Sequence, residues 1–215
     1  SLSDDQLLVK PINDDTVSTL SCQASGGSSI LAVDTTNSKV LVGASQVSAT
    51  TLFKEMGLYD FTPAAGYHYP LVANTMHFET AFAADTDWGN GADPATTLDV
   101  SGLTDPENAI AIYWYLDNAI TLDSVRFMIT ADGSDSINLH LESYDLDVSS
   151  NHGDLSGGTT CASVSSISAT ATTVKTGTFT LDSADIAASK VVIGFVESDS
   201  TTDLSVALSI KYHIQ

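Results

Sequence analysis

Leu204-Ser205-Val206-Ala207-Leu208-Ser209-Ile210-Lys211-Tyr212-His213-Ile214 decides the fold. Leu204, Val206, Leu208, Ile210, Tyr212 and Ile214 hold one parity, and Ser205, Ala207, Ser209, Lys211 and His213 hold the other. Side chains alternate across a strand, so this stretch spells a strand with one buried face and one wetter face. The same period recurs upstream. Val125, Phe127 and Ile129 alternate with Arg126, Met128 and Thr130, and Ile137, Leu139 and Leu141 alternate with Asn138, His140 and Glu142. Ile110, Ile112, Trp114 and Leu116 alternate with Ala111, Tyr113 and Tyr115. Val191-Val192-Ile193-Gly194-Phe195-Val196 is instead continuously apolar, as in a strand covered on both faces.

Met76–Phe82, Thr96–Val100 and Lys175–Leu181 complete a set of about eight strands, the number of a jelly roll. Turn formers separate them at Ala131–Asp135, Asn151–Gly158 and Ser198–Thr202. No βαβ pattern appears, which excludes a parallel doubly wound sheet. The expected fold is all-β: a C-terminal antiparallel β-sandwich, jelly-roll-like, over residues 67–215.

Residues 1–29 read as an extended N-terminal arm, with Ser25-Gly26-Gly27-Ser28-Ser29 as its joint. Ile30–Val33 and Lys39–Gly43 flank the turn Asp34-Thr35-Thr36-Asn37-Ser38, which predicts a β-hairpin. The loose spacing of Val47, Leu52, Met56 and Leu58 predicts a short helix within 46–60, and Pro63, Gly66 and Pro70 mark a linker over 61–75. A hairpin without a core of its own needs a partner surface. Residues 30–66 are therefore expected to anchor and trimerise the chain.

Composition narrows the function. The chain of 215 residues carries 27 acidic residues against 7 Lys and Arg, a net charge of −20, and Arg126 is its one arginine. It lacks the cationic footprint that nucleic acid or an anionic membrane surface requires. No apolar run is long enough for a membrane-spanning helix. Ser1–Asp5 do not read as the start of a secretory leader, which speaks against an exported adhesin. Cys22 and Cys161, far apart, make neither a disulfide framework nor a zinc motif.

Candidate sites are few. Asp85, Asp87, Asn90 and Asp93, in the run Asp85–Asp93, are hard oxygen ligands on a Gly-containing loop and are the candidates for calcium. Gly89 stands where an oxygen ligand belongs, and no Glu closes the loop. His68, His77, His140, His152 and His213 never take paired metal spacing, and alternation puts His140 and His213 on the wetter faces of their strands. Tyr113 and Tyr115 flank the core-facing Trp114 and are candidates for contact with a glycan or a neighbouring subunit. Glu79, Glu142 and Asp145 are carboxylates in search of a glycosidase cleft, but nothing in the spacing pairs them. Neither a nucleophile elbow nor a phosphate-cradling loop is present, so no catalytic residue is assigned and the chain is expected not to be an enzyme.

Val33–Gly43 resembles a hairpin of phage tail fibres and other trimeric virion appendages. Three further stretches, Tyr113-Trp114-Tyr115, Asn151–Gly158 and Lys211–Gln215, resemble uncharacterised virion proteins of marine bacteriophages. This resemblance implies a homotrimer on the virion surface, as a capsid decoration or short fibre against the major capsid protein or another virion protein, with no cofactor. The alternative of another class is a carbohydrate-binding module for host-surface glycan, on Tyr113 and Tyr115.

Overall fold

The computed structural model describes residues 20–23, 29–34, 39–42, 47–48, 51–74, 88–100, 109–147 and 153–215. The chain divides into two units, Ser1–Thr51 and Leu52–Gln215. In the smaller unit, β1 (Leu20–Gln23), β2 (Ser29–Asp34), β3 (Lys39–Val42) and β4 (Val47–Ser48) form an antiparallel sheet in that order. The hairpin expected over 30–43 is β2–β3, with Leu31 opposite Val42 and Asp34 opposite Lys39.

The larger unit is an antiparallel sandwich, as the alternation predicts. Its strands are β5 (Leu52–Phe61), β6 (His68–Pro70), β7 (Trp114–Tyr115), β8 (Ile120–Ala131), β9 (Asp135–Asp147), β10 (Asp154–Ala169), β11 (Val174–Thr178), β12 (Thr180–Leu181), β13 (Asp185–Ile186), β14 (Lys190–Ser198) and β15 (Leu204–Ile214). One sheet runs β12-β10-β9-β14-β6, with β7 also on β14. The other runs β11-β8-β15-β5, with β13 also on β8. The core between them takes Met56, Val125, Phe127, Leu139, Leu141, Val192, Val196 and Leu208. On β15, Leu204, Val206, Leu208 and Ile210 are all buried, each contributing roughly 1.5–3 kcal/mol of transfer free energy.

Four local expectations are corrected. The helix expected within 46–60 is not formed: Leu52–Phe61 is β5, laddered along β15 from Phe61 opposite Leu204 to Leu52 opposite Tyr212. Gly57 is a poor helix interior residue, and pairing with the long β15 edge outweighs any local helical preference. The segment thus belongs to the sandwich and not to the anchoring region. Ile110 and Ile112 do not share a strand face: Ala109–Ile112 is a helical turn, α1, which exposes Ile110 and buries Ile112. Thr96–Val100 makes a single bridge, Leu98 to Leu155, rather than a strand. Asn151–Gly158 is not wholly a turn, because β10 begins at Asp154 and runs 16 residues. Its ladder with β9 shifts register at Ser156/Thr159, Thr160/Ala162 and Val164/Ile167. Each bulge moves the side-chain parity by one, so no long alternation survives in the sequence. The Met76–Phe82 strand lies outside the described residues.

Candidate functional site

The outer face of the six-stranded sheet is covered. β14 presents Val191, Ile193 and Phe195 outward, and β9 presents His140, Glu142 and Tyr144 beside them. Trp88–Val100 lies across this face. The Tyr144 hydroxyl donates to the Ala95 carbonyl at 2.8 Å, and Leu98 and Leu155 exchange both backbone hydrogen bonds. The Gly158 amide donates to the Thr96 carbonyl, and Trp88 packs on Phe195 with ring centroids 6.4 Å apart. Two glycines permit this approach. A Cβ on Gly158 would stand 2.9 Å from Thr96 Cα, and Gly89 turns at φ +115°, with its carbonyl accepting the His68 amide.

Under one end of this cover lies a polar cluster. His68 on β6 is fully buried, and His140 and Glu142 on β9 are 4% and 5% exposed. The imidazole centroids of His68 and His140 are 5.4 Å apart. None of the four ring nitrogens makes a hydrogen bond of ordinary geometry, nor does Glu142 Oε1. Burial and the neighbouring His140 push His68 down to about 4, against a smaller opposing pull from the Gly89 carbonyl and Asp93. Burial likewise lowers His140. It raises Glu142 to about 7, only partly offset by the Thr160 hydroxyl. Glu197, next along β14, is raised by burial while it accepts a 2.7 Å hydrogen bond from Asn138. The placement of His140 corrects its expected position on a wet face: alternation is correct for β9, but the face is covered.

The five-stranded sheet differs. Among the described residues no segment lies across its outer face: the cross-strand row Thr178–Arg126–Ser209–Glu55 is exposed, and so are Thr176 and Met128 of the row Thr176–Met128–Ala207–Gly57, whose Gly57 end is buried. Phe53 and Met128 are 67% and 53% exposed on this face. Its charges are of both signs: Glu55, Arg126 and Lys211, with Asp123 paired to His213 and Asp185 beside Thr121 toward one end, in a chain with 27 acids and 7 bases. No sequence signal singled this face out beyond the small and polar parity of β15.

The other candidates are dispersed. Asn90 and Asp93 are exposed, and Asp85 and Asp87 lie outside the described residues. Among the described residues no group of three or more His, Cys, Asp or Glu is arranged to hold a metal ion. Tyr113 is half-buried and its hydroxyl donates to the Gly153 carbonyl at 2.9 Å, whereas Tyr115 is exposed; the two do not form one open platform. Glu142 and Asp145 occupy opposite parities of β9, and Asp145 is ion-paired with Lys190 at 2.7 Å, so they share no cleft. Glu79, His77 and His152 lie outside the described residues. His213 pairs with Asp123 at 3.0 Å. The Cys161 thiol is buried, and burial pushes it up to about 11, which makes it a poor nucleophile.

No family model matches the chain, and no curated protein matches it. Among solved structures, a chain in "Structure of infectious bursal disease virus Gx strain" is weakly similar, at 9% identity and a TM-score of 0.26. The match covers 86% of this chain and 64% of that one, so this chain spans less than two thirds of its neighbour's length. A likeness of that size carries neither fold nor function across.

Proposed function

We propose that the chain is a structural protein of a virus particle, held on the particle surface as a capsid decoration or short fibre and assembled as a homotrimer. The observation that carries the assembly reading is the bare face of the five-stranded sheet. Copies of a chain with net charge −20 repel one another over most of their surface. The face bearing Phe53, Met128, Arg126, Lys211 and Glu55 offers exposed apolar groups and near-balanced charge, so copies can meet there without that repulsion. The virion reading is supported by the resemblance of Val33–Gly43 and of the C-terminal stretches to phage appendage proteins. In this reading the small unit, with its β2–β3 hairpin, supplies the anchor to the capsid. No enzymatic activity is proposed.

Two measurements test it. Mass spectrometry of purified particles is expected to find the chain, and its absence from them would remove the viral role. Light scattering of the full chain is expected to give three times the chain mass. The variant Phe53→Asp/Met128→Asp is expected to be monomeric with an unchanged circular dichroism spectrum. A monomeric wild type would refute the trimer, and a trimeric variant would refute this face as its seam.

A further inference from the structure

Buried polar side chains in folded proteins nearly always have hydrogen-bond partners, so four unpartnered imidazole nitrogens under one cover require a physical account. In the neutral form the cost is desolvation alone, and aromatic packing among His68, His140 and Phe195 offsets part of it. In the cationic form two charges would lie side by side, buried and unpaired. We propose that His68 and His140 form an acid-released latch: uncharged, they let Trp88–Val100 close over the outer face of the six-stranded sheet, and on acidification they take up protons and free that cover.

The cover is suited to local release. Its hydrogen bonds to the sheet include His68 to Gly89, Gly66 to Gly91, the Leu98–Leu155 pair, Thr96 to Gly158, Tyr144 to Ala95 and the Val100 amide to Asp154, and it forms no ladder beyond isolated bridges among the described residues. Gly89 bonds directly to the backbone of a latch residue, so movement of His68 is felt by the cover. The groups around the pair decide the sign. Asp93 in the cover favours protonated imidazoles, but it is exposed and solvated. Asp182, between β12 and β13, acts on His140 in the same sense. Glu142 on β9 and Glu197 on β14 are themselves buried and favour their neutral forms, with Asp135 and Asp199 beyond Glu197.

Closed, His68 stays neutral down to about pH 4, whereas an exposed imidazole protonates near its ordinary value of 6.5. The open form therefore binds more protons below 6.5, and closure weakens as pH falls; His140 acts in the same direction. Glu142 works against them. Closed, it keeps its proton up to about 7, and open it loses that proton above its ordinary value of 4.5. Between about 4.5 and 6.5, opening takes up a proton at His68 and releases one at Glu142, and the lowered His140 adds further uptake that tips the balance toward opening in acid. Each full proton of net uptake changes the opening constant by about tenfold per pH unit, which is the ceiling on the response.

Hydrogen exchange of the full chain, corrected for the intrinsic pH dependence of exchange, tests the latch. Between about pH 6.5 and about pH 5, peptides over 88–100 and 155–160 are expected to lose protection by up to about tenfold, while β8 and β15 keep theirs. Glu142→Gln removes the opposing group, and the response is expected to steepen beyond that of the wild type. His140→Phe removes one proton uptake, and its response is expected to flatten. Unchanged protection in the wild type, or parallel loss in β8 and β15, would overturn the proposal. If His140→Phe does not fold, an unaltered slope in Glu142→Gln overturns it by itself.

Discussion

The two sheets of the sandwich share one core and differ on their outer faces. Outside the six-stranded sheet, Val191, Ile193 and Phe195 lie under Trp88–Val100, with a second small core of Leu98, Ile112, Tyr144 and Leu155. Outside the five-stranded sheet, β15 shows Ser209 and Lys211, and β8 shows Arg126 and Met128, to solvent. A strand buried on both faces is apolar at both parities, and a strand wet on one face alternates. β14 and β15 follow this rule: their residue order alone states which outer face is covered. β9 breaks it. Its outward parity, Asn138, His140 and Glu142, reads as wet and is covered, which leaves His140 and Glu142 buried with unpartnered atoms. The exception to the pattern is where the chemistry of the molecule collects.

The sharpest way to break the comparison is the same charge on each face. Ile193→Asp places an unpaired carboxylate under the cover and is expected to cost more than about 4 kcal/mol in urea unfolding. Ser209→Asp, on the bare face and tested in the monomeric Phe53→Asp/Met128→Asp background, is expected to stay within about 0.5 kcal/mol of that parent. Equal losses would mean that the five-stranded sheet is also covered within the single chain. Gly158→Ala acts on the cover alone. Its methyl would meet Tyr144 Cε1 at 2.8 Å and Thr96 Cα at 2.9 Å, so a loss of about 1–3 kcal/mol is expected, with exchange rising first in 88–100. Tyr144→Phe sharpens the picture with the smallest change. It deletes only the hydroxyl that donates to the Ala95 carbonyl, and about 1 kcal/mol should be lost, again with the cover exchanging first.

Legibility followed the regularity of the ladder. β8, β14 and β15 run in unbroken register over most of their length, and their patterns could be read residue by residue. β10 is longer than any of them and was read in part as a turn. Its composition of Ser, Thr and Gly carries little strand signal, and three bulges scramble its parity. β5 was read as a helix because its apolar residues are sparse: Met56, Leu58 and Phe61 bury against the core while Leu52, Phe53 and Tyr59 stay exposed. Its strand state comes from the edge of β15, 143 residues away in the chain where Leu204 meets Phe61, and no local window contains that information.

By itself the sequence determined the all-β class, the antiparallel sandwich, the β2–β3 hairpin and the strand buried on both sides, because each rests on a local period imposed by the strand's two-residue repeat. Only the tertiary structure decided that one outer face is roofed and the other bare, and that His68 meets His140. Those residues come from β6 and β9, on either side of β14, and the roof comes from a segment with almost no strand of its own. Which side chains meet across a sheet depends on strand order and register, and those are set by the packing of the whole chain rather than by any stretch of it.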